Sequence, residues 1–407
     1  MALEVVLSNL KDQSPEEILG KLDLGGAGLD SGKARTESIV ACIDYSHSNL
    51  ASDIQGLTDC LAPFTGVIHE GILKPYTERL KAQPALEHLP FERWGEVIQA
   101  TQDWGLVRPH REAKGFLELQ PTLPYFLRVR LASEERRAAR EAIEIAFHET
   151  YEGAGSAIAN LLGSKDAGEK AQGLIVAKLE EENLLAALRI ALNRRASFLG
   201  PTSALIASLD ATHASERQLR LMEWILGHKD LYNGELIEGD AGDGFLVTLE
   251  RKAAVLLKLS RPEDARQTYL KELEMHRLRE RLAQRKRLRA SAGILHKLAE
   301  VARRSHDRAD AEKLLSRVLR IRVRLDELPS QAEIFLQLGM LAHEAGNLAR
   351  AETCHKRALE IFSECGDMEN RKKCCLELAR ISDELGNLPD QIEYYKKIVG
   401  EQPRLSA

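Results

Sequence analysis

One stretch of this chain repeats itself, and a chain that repeats at a fixed interval has few architectures open to it. Residues 297–311 (K-L-A-E-V-A-R-R-S-H-D-R-A-D-A) align with 337–351 (Q-L-G-M-L-A-H-E-A-G-N-L-A-R-A) and 377–391 (E-L-A-R-I-S-D-E-L-G-N-L-P-D-Q) at an interval of 40. Leu298, Leu338 and Leu378 coincide, and Ala299, Gly339 and Ala379 follow them, small residues where two helices must come close. Ala302, Ala342 and Ser382 fall one turn later. Gly346-Asn347 and Gly386-Asn387 read as turns, with His306-Asp307 in the equivalent place, and Ala311, Ala351 and Gln391 then open a second helix. An earlier copy, A-A-V-L-L-K-L-S-R-P-E-D-A, has its alanine at Ala265, 46 residues before Ala311, with Lys252 in the leucine position. No helix pair of this kind can bury its apolar face alone, so stacking is obligatory and builds a curved solenoid with a groove.

The pattern resembles the tetratricopeptide (TPR) repeat, with a period of 40 in place of the usual 34 or so. The fit is closest at 290–323 and 330–363, looser at 370–398, and loosest near 245–275. In a TPR array the first helix of each pair lines the concave face. Counted from the aligned leucines, the groove positions are Glu300, Arg303 and Arg304, then Gln337, Met340 and Glu344, then Arg380. Their mixed charge points to a protein or peptide partner. An acidic stretch can pair with Arg303 and Arg304 while Met340 supplies adaptable apolar contact. Intramolecular docking of the chain's own N-terminal half is the alternative occupant.

Ahead of the repeat the pattern changes. E-S-I-V-A-C-I-D-Y-S, D-I-Q-G-L-T-D-C-L-A-P-F, V-I-H-E-G-I-L-K-P-Y-T-E-R-L and F-E-R-W-G-E-V-I-Q-A-T-Q-D-W each space apolar residues as a helix does. L-V-R-P-H (106–110) and G-F-L-E-L-Q (115–120) then read as two strands around a polar turn, and L-P-Y-F-L-R-V-R-L returns to helix. Helices followed by a two-stranded wing is winged-helix order. A helix over S-E-E-R-R-A-A-R-E-A-I-E-I-A-F-H-E-T-Y, with Ser133 as N-cap, and a second over about 167–195 follow, and Gly200-Pro201 reads as the end of that pair.

Together, A-L-E-V-V-L-S-N-L (2–10), S-P-E-E-I-L-G-K-L, A-R-T-E-S-I-V-A-C-I-D-Y-S-H-S-N-L (34–50), G-L-T-D-C-L-A-P-F and L-E-L-Q-P-T-L-P-Y-F-L-R-V-R-L resemble the winged-helix region of bacterial STAND/NB-ARC signal-transduction NTPases carrying TPR repeats. The resemblance covers about residues 1–135. It implies the regulatory and sensor portion of such a switch, lacking its NTPase domain. Where the family carries a Met-His-Asp-like motif touching ADP, this chain has Leu119-Gln120-Pro121. The expected fold is mainly α, a winged-helix-like N-terminal domain followed by a TPR-like α-solenoid. Residues 1–34 form a remnant helical segment and Gly-rich linker, 35–131 the winged-helix-like domain, 132–239 helical connector pairs and 240–407 the repeats.

Several chemistries fail on spacing. A P-loop ending at Gly32-Lys33 would need glycine at Ala27 and a hydroxyl at Ala34. N-G-E-L-I-E-G-D-A-G-D-G lacks the ligand order of a calcium loop. No His-Glu pair continues as H-E-x-x-H, and Cys354 and His355, adjacent on a helix, diverge by about 100°. Cys374-Cys375 should place one thiol in the core and one at the surface. With six cysteines and no C-x-x-C, neither a disulfide scaffold nor structural zinc is expected. No apolar run approaches the roughly 18 residues of a membrane span. The reading is a non-enzymatic, cytoplasmic protein-interaction and sensor module that needs no cofactor.

The alternative is a nucleic-acid-binding regulator using the winged helix and the arginine-rich belt 277–324. A net charge of −5 excludes a wholesale basic coat. A charge run on a solenoid is ordinarily a solvated face. The would-be recognition helix carries Glu92, Glu96 and Asp103 against Arg93, which repels phosphate. Nucleic acid therefore ranks below a protein partner.

Overall fold

The structure, a computed structural model, describes residues 42–232, 235–279 and 283–399, which fall into two compact units divided between Gly244 and Phe245. The expected segment 1–34, with Ala27 and Ala34, lies outside the described residues, as does Arg281 of the belt.

In the first unit, residues 42–48 are helical and lead to α1 (Ser52–Asp59), β1 (Val67–His69) and α2 (Glu70–Lys81). Next come α3 (Trp94–Asp103), β2 (Val107–Pro109), β3 (Phe116–Leu119) and α4 (Leu123–Arg130). The three strands form an antiparallel sheet of order β1-β3-β2, with Ile68 opposite Leu117 and Arg108 opposite Glu118. The sequence pattern starts a helix at Val67 and counts two strands; V-I-H instead forms a third. Three apolar-leaning residues fit either period, and the partner strand decides.

Helices α5 (Arg137–Gly163), α6 (Ala167–Leu179), α7 (Glu181–Arg194), α8 (Leu199–Ala211) and α9 (Ser215–Leu226) complete this unit. The long helix expected over 167–195 breaks at Glu180, whose side chain turns inward. Its Oε2 accepts from Tyr151 Oη at 2.7 Å and from Asn183 Nδ2 at 2.8 Å. Asn183 also donates to the Val67 carbonyl at 2.8 Å and accepts from Thr65 N–H at 2.7 Å, so one buried amide ties α7 to the start of β1. Asp59, 5% exposed, accepts from Arg136 Nη1 at 2.7 Å, with Arg130 Nε at 3.5 Å and His47 Nε2 at 3.4 Å. Residues on both sides of Leu131 thus share this unit. Ser133 makes no capping hydrogen bond. Gly200-Pro201 belongs to the first turn of α8 and ends nothing. A β-carbon at Gly200 would sit 2.0 Å from the Glu152 carbonyl oxygen, and one at Gly155 2.4 Å from the Gly200 carbonyl carbon. The small residues let α5 and α8 cross with their backbones touching.

The repeats run α10 (Asp240–Lys258), α11 (Pro262–Leu278), α12 (Gln284–Arg304), α13 (Arg308–Leu325), α14 (Leu328–Glu344), α15 (Leu348–Glu364), α16 (Met368–Glu384) and α17 (Leu388–Val399). From α11 onward each helix packs on the next along the chain, in a TPR-like solenoid. Leu298, Leu338 and Leu378 are buried. Four of the turns are spelled alike, whereas at Asp326-Glu327 and Ser260-Arg261 the residue after the left-handed one makes no capping hydrogen bond. A residue with left-handed backbone comes first: His306 (φ 60°), Gly346 (φ 75°), Gly366 (φ 72°) or Gly386 (φ 70°). An Asp or Asn follows and caps the next helix: Asp307, Asn347, Asp367 and Asn387 accept from the backbone N–H three residues on, at 3.0, 3.1, 3.0 and 3.4 Å. Gly339 is small of necessity, since a β-carbon there would lie 2.7 Å from the His355 ring.

Two chemical expectations change here. Cys374 and Cys375 are both buried, at 0% and 2% exposure, so neither is the surface thiol the sequence pattern calls for. Burial pushes the Cys374 thiol up to about 12 and raises Cys375 too, which keeps both protonated. His355 is wholly buried, and burial pushes it down to about 4; Cys354 beside it is also raised by burial. Among the described residues no helix is long and apolar enough to cross a membrane.

Candidate interaction site

The first helices of successive repeats, α12 and α14, stand side by side, with α13 between and behind them. Ala299 and Ala311 leave room where larger side chains would fill it. The result is a pocket of about 260 Å³. Its floor is Ala299, Ala311, Leu315 and Leu341, and its rim is Glu300, Arg303, Gln337, Met340 and Glu344. Met340 is 45% exposed.

Five of the seven groove positions counted from the aligned leucines, Glu300, Arg303, Gln337, Met340 and Glu344, come together here. Arg304 does not line the pocket; its Nε donates to Glu300 Oε1 at 2.9 Å. Arg380 sits on α16 at the position Glu300 and Met340 hold in their repeats, and pairs with Glu377 at 3.3 Å. The arginines are not idle. Arg303 Nε and Nη2 both donate to Glu300 at 2.9 Å, a two-point clasp that holds the Glu300 carboxyl below the usual carboxylate range, with Arg304 adding to it. Glu344 lies 3.8 Å from Arg308. The rim therefore carries both signs, and its strongest cations are already engaged.

Pattern reading missed the ladder that links these helices across repeats. Lys297 Nζ reaches Glu250 at 2.6 Å, His296 Nε2 meets Gln337 Oε1 at 2.8 Å, and His343 Nε2 meets Glu384 Oε1 at 2.8 Å. The missed floor residue Leu315 had a usable signal, lying one turn beyond the helix-opening Ala311.

The arginine belt is dispersed. Arg289 and Arg322 both pair with Glu327, Arg285 donates to the Leu325 carbonyl, and Arg266, on the preceding helix, pairs with Asp310. Arg277, Arg317, Arg320 and Arg324 make no ion pair among the described residues. On α3, the flanking cation Arg93 is held by Asp53 and Glu96. Among the described residues no cluster of metal-ligating side chains occurs.

No curated protein matches this chain. Solved structures do. BtubC (BKLC) from P. vanneervenii is 18% identical, with 57% of this chain and 94% of that one covered and a TM-score of 0.44. A signal transduction ATPase with numerous domains (STAND) and a tetratricopeptide repeat sensor, from Pyrococcus horikoshii, is 15% identical, with 98% and 59% covered and a TM-score of 0.35. Aspartyl phosphate phosphatase F from Bacillus subtilis is 14% identical, with 83% and 95% covered and a TM-score of 0.31. Residues 290–364, most of α12 through α15, match the family model of the tetratricopeptide repeat.

Proposed function

We propose that this chain is a non-enzymatic interaction and sensor module of a STAND-like signalling protein, located in the cytoplasm, whose TPR groove binds a protein or peptide segment. The observation that carries the reading is the pocket between α12 and α14, a small apolar floor ringed by Arg303, Met340, Glu300 and Glu344. A polar peptide can lay one apolar side chain on Ala299, Ala311, Leu315 and Leu341 while its charged neighbours meet the rim. Arg304 and Arg380 extend that rim along the groove. The helix, strand, two helices and hairpin of residues 52–119 support a winged-helix reading of the N-terminal part, with docking rather than nucleic-acid binding as its role.

An acidic partner must displace Glu300 from Arg303 and Arg304, and this makes its charge testable. Capture of bound proteins with Arg303→Glu/Arg304→Glu should fail while the melting temperature stays put, and Met340→Asp should do the same. Glu300→Gln frees the arginines and should strengthen capture of an acidic partner several-fold. Retention of the same bound proteins by both groove variants sinks the reading.

A further inference from the structure

A second concavity, in the first unit, has a chemistry the groove lacks. It lies between the turn that follows α1, the last turn of α4, and the facing sides of α5 and α7, and is an open hollow of about 280 Å³. Its apolar surface comes from Ala62, Pro63, Leu131, Ile143 and Ile190. Three arginines, Arg128, Arg140 and Arg189, line it from three helices, with Glu144 as the only carboxylate in the lining. Arg128 spends its Nε on the Pro124 carbonyl at 3.0 Å, leaving both terminal nitrogens. Arg140 and Arg189 form no salt bridge or hydrogen bond among the described residues. Burial lowers the Arg128 pKa, and the charge of Arg189 lowers it further, so these two like charges feel each other.

We propose that this basin binds a small organic phosphate monoester, its head between Arg128, Arg140 and Arg189 and its apolar body against Ile143, Ile190 and Pro63. Like charges gathered around an apolar floor are unfavourable until an anion joins them. Three guanidiniums against one carboxylate leave an excess of two positive charges. A monoester carries −1.5 to −2 near neutral pH and offers three acceptor oxygens, whereas a carboxylate carries one charge and two oxygens. The hollow, of about 280 Å³, has room for a phosphate and a ring-sized group. Because Ala62 and Arg128 precede Leu131 while Arg140 and Arg189 follow it, a bound phosphate would hold the two stretches together.

The test is calorimetry on the full chain at constant ionic strength, with phenyl phosphate, inorganic phosphate and benzoate as probes. Phenyl phosphate should bind saturably, and benzoate and inorganic phosphate about tenfold or more weakly. Arg189→Gln, on an exposed side chain, should lower phenyl phosphate affinity about tenfold, near 1.4 kcal/mol. As a second measurement, phenyl phosphate should raise the melting temperature of the parent chain and not that of Arg189→Gln. Absence of saturable heat, equal binding of benzoate, or undiminished binding by Arg189→Gln overturns the proposal.

Discussion

The two units solve the same problem, holding helices together, by opposite means. In the repeats each helix meets its sequence neighbour, and the junctions are closed by local turns and caps. In the first unit the decisive contacts join residues far apart in the chain. Asn183 reaches back to Thr65 and Val67, Arg136 to Asp59, and Gly200 to Glu152. The former arrangement spreads stability along a line, whereas the latter concentrates it in a few buried polar knots.

The strongest way to break that contrast is Asn183→Ala. It orphans the Thr65 N–H and the Val67 carbonyl at once and takes one donor from the buried Glu180 carboxylate, which keeps Tyr151. We expect a loss of about 4 kcal/mol, seen in denaturant as an earlier transition of the first unit with the repeat transition unmoved. If both transitions shift together, the units are not energetically distinct.

Glu272, on α11, is an intermediate case, a polar knot placed inside the repeats. It is 4% exposed, its Oε2 has no hydrogen-bond partner, and burial pushes its carboxyl up to about 7, against the pull of Lys297. An acid raised in the folded state contributes its full stability below the unfolded value near 4.5, and loses it as pH rises through about 7. Glu272→Gln should therefore be more stable than the parent by about 2 kcal/mol at pH 8 and indistinguishable at pH 4, by urea midpoints at each pH. A difference that does not vary with pH would show that the carboxyl titrates normally.

The smallest effect belongs to a single turn. His306 holds the left-handed conformation that Gly346, Gly366 and Gly386 hold at three other junctions. Replacing it with glycine should stabilise the repeats by about 1 kcal/mol, read as a rise in midpoint at unchanged slope. No rise would mean that the histidine side chain compensates for its own backbone.

The same contrast explains what the sequence disclosed. Leu298, Leu338 and Leu378, the Gly-Asn turns and five of the pocket residues follow from counting, because a repeat presents each position again at the same offset. Val67–His69 could not be recognised as a strand, since its partner lies some fifty residues onward at Phe116–Glu118. The inward turn of Glu180 looked like helix interior, because Tyr151 and Asn183 become its partners only after folding. The Cys374-Cys375 pair, expected to divide between core and surface, is wholly buried for a related reason: whether adjacent residues are covered depends on the neighbouring helices, not on the pair itself. The apolar floor at Leu315 lay within reach of counting, and the arginines around Arg128 did not.

The shared spelling of four repeat junctions has a genetic corollary. Each is completed by two adjacent residues and the N–H three positions on, so it is indifferent to how many copies stand before or after it. Duplicating or deleting one 40-residue unit would leave each surviving joint of this kind intact, and array length could drift by unequal recombination while the fold persists. The polar knots of the first unit admit no such edit, because any block removed between Thr65 and Asn183 takes one end of a bond with it or changes the path that joins them.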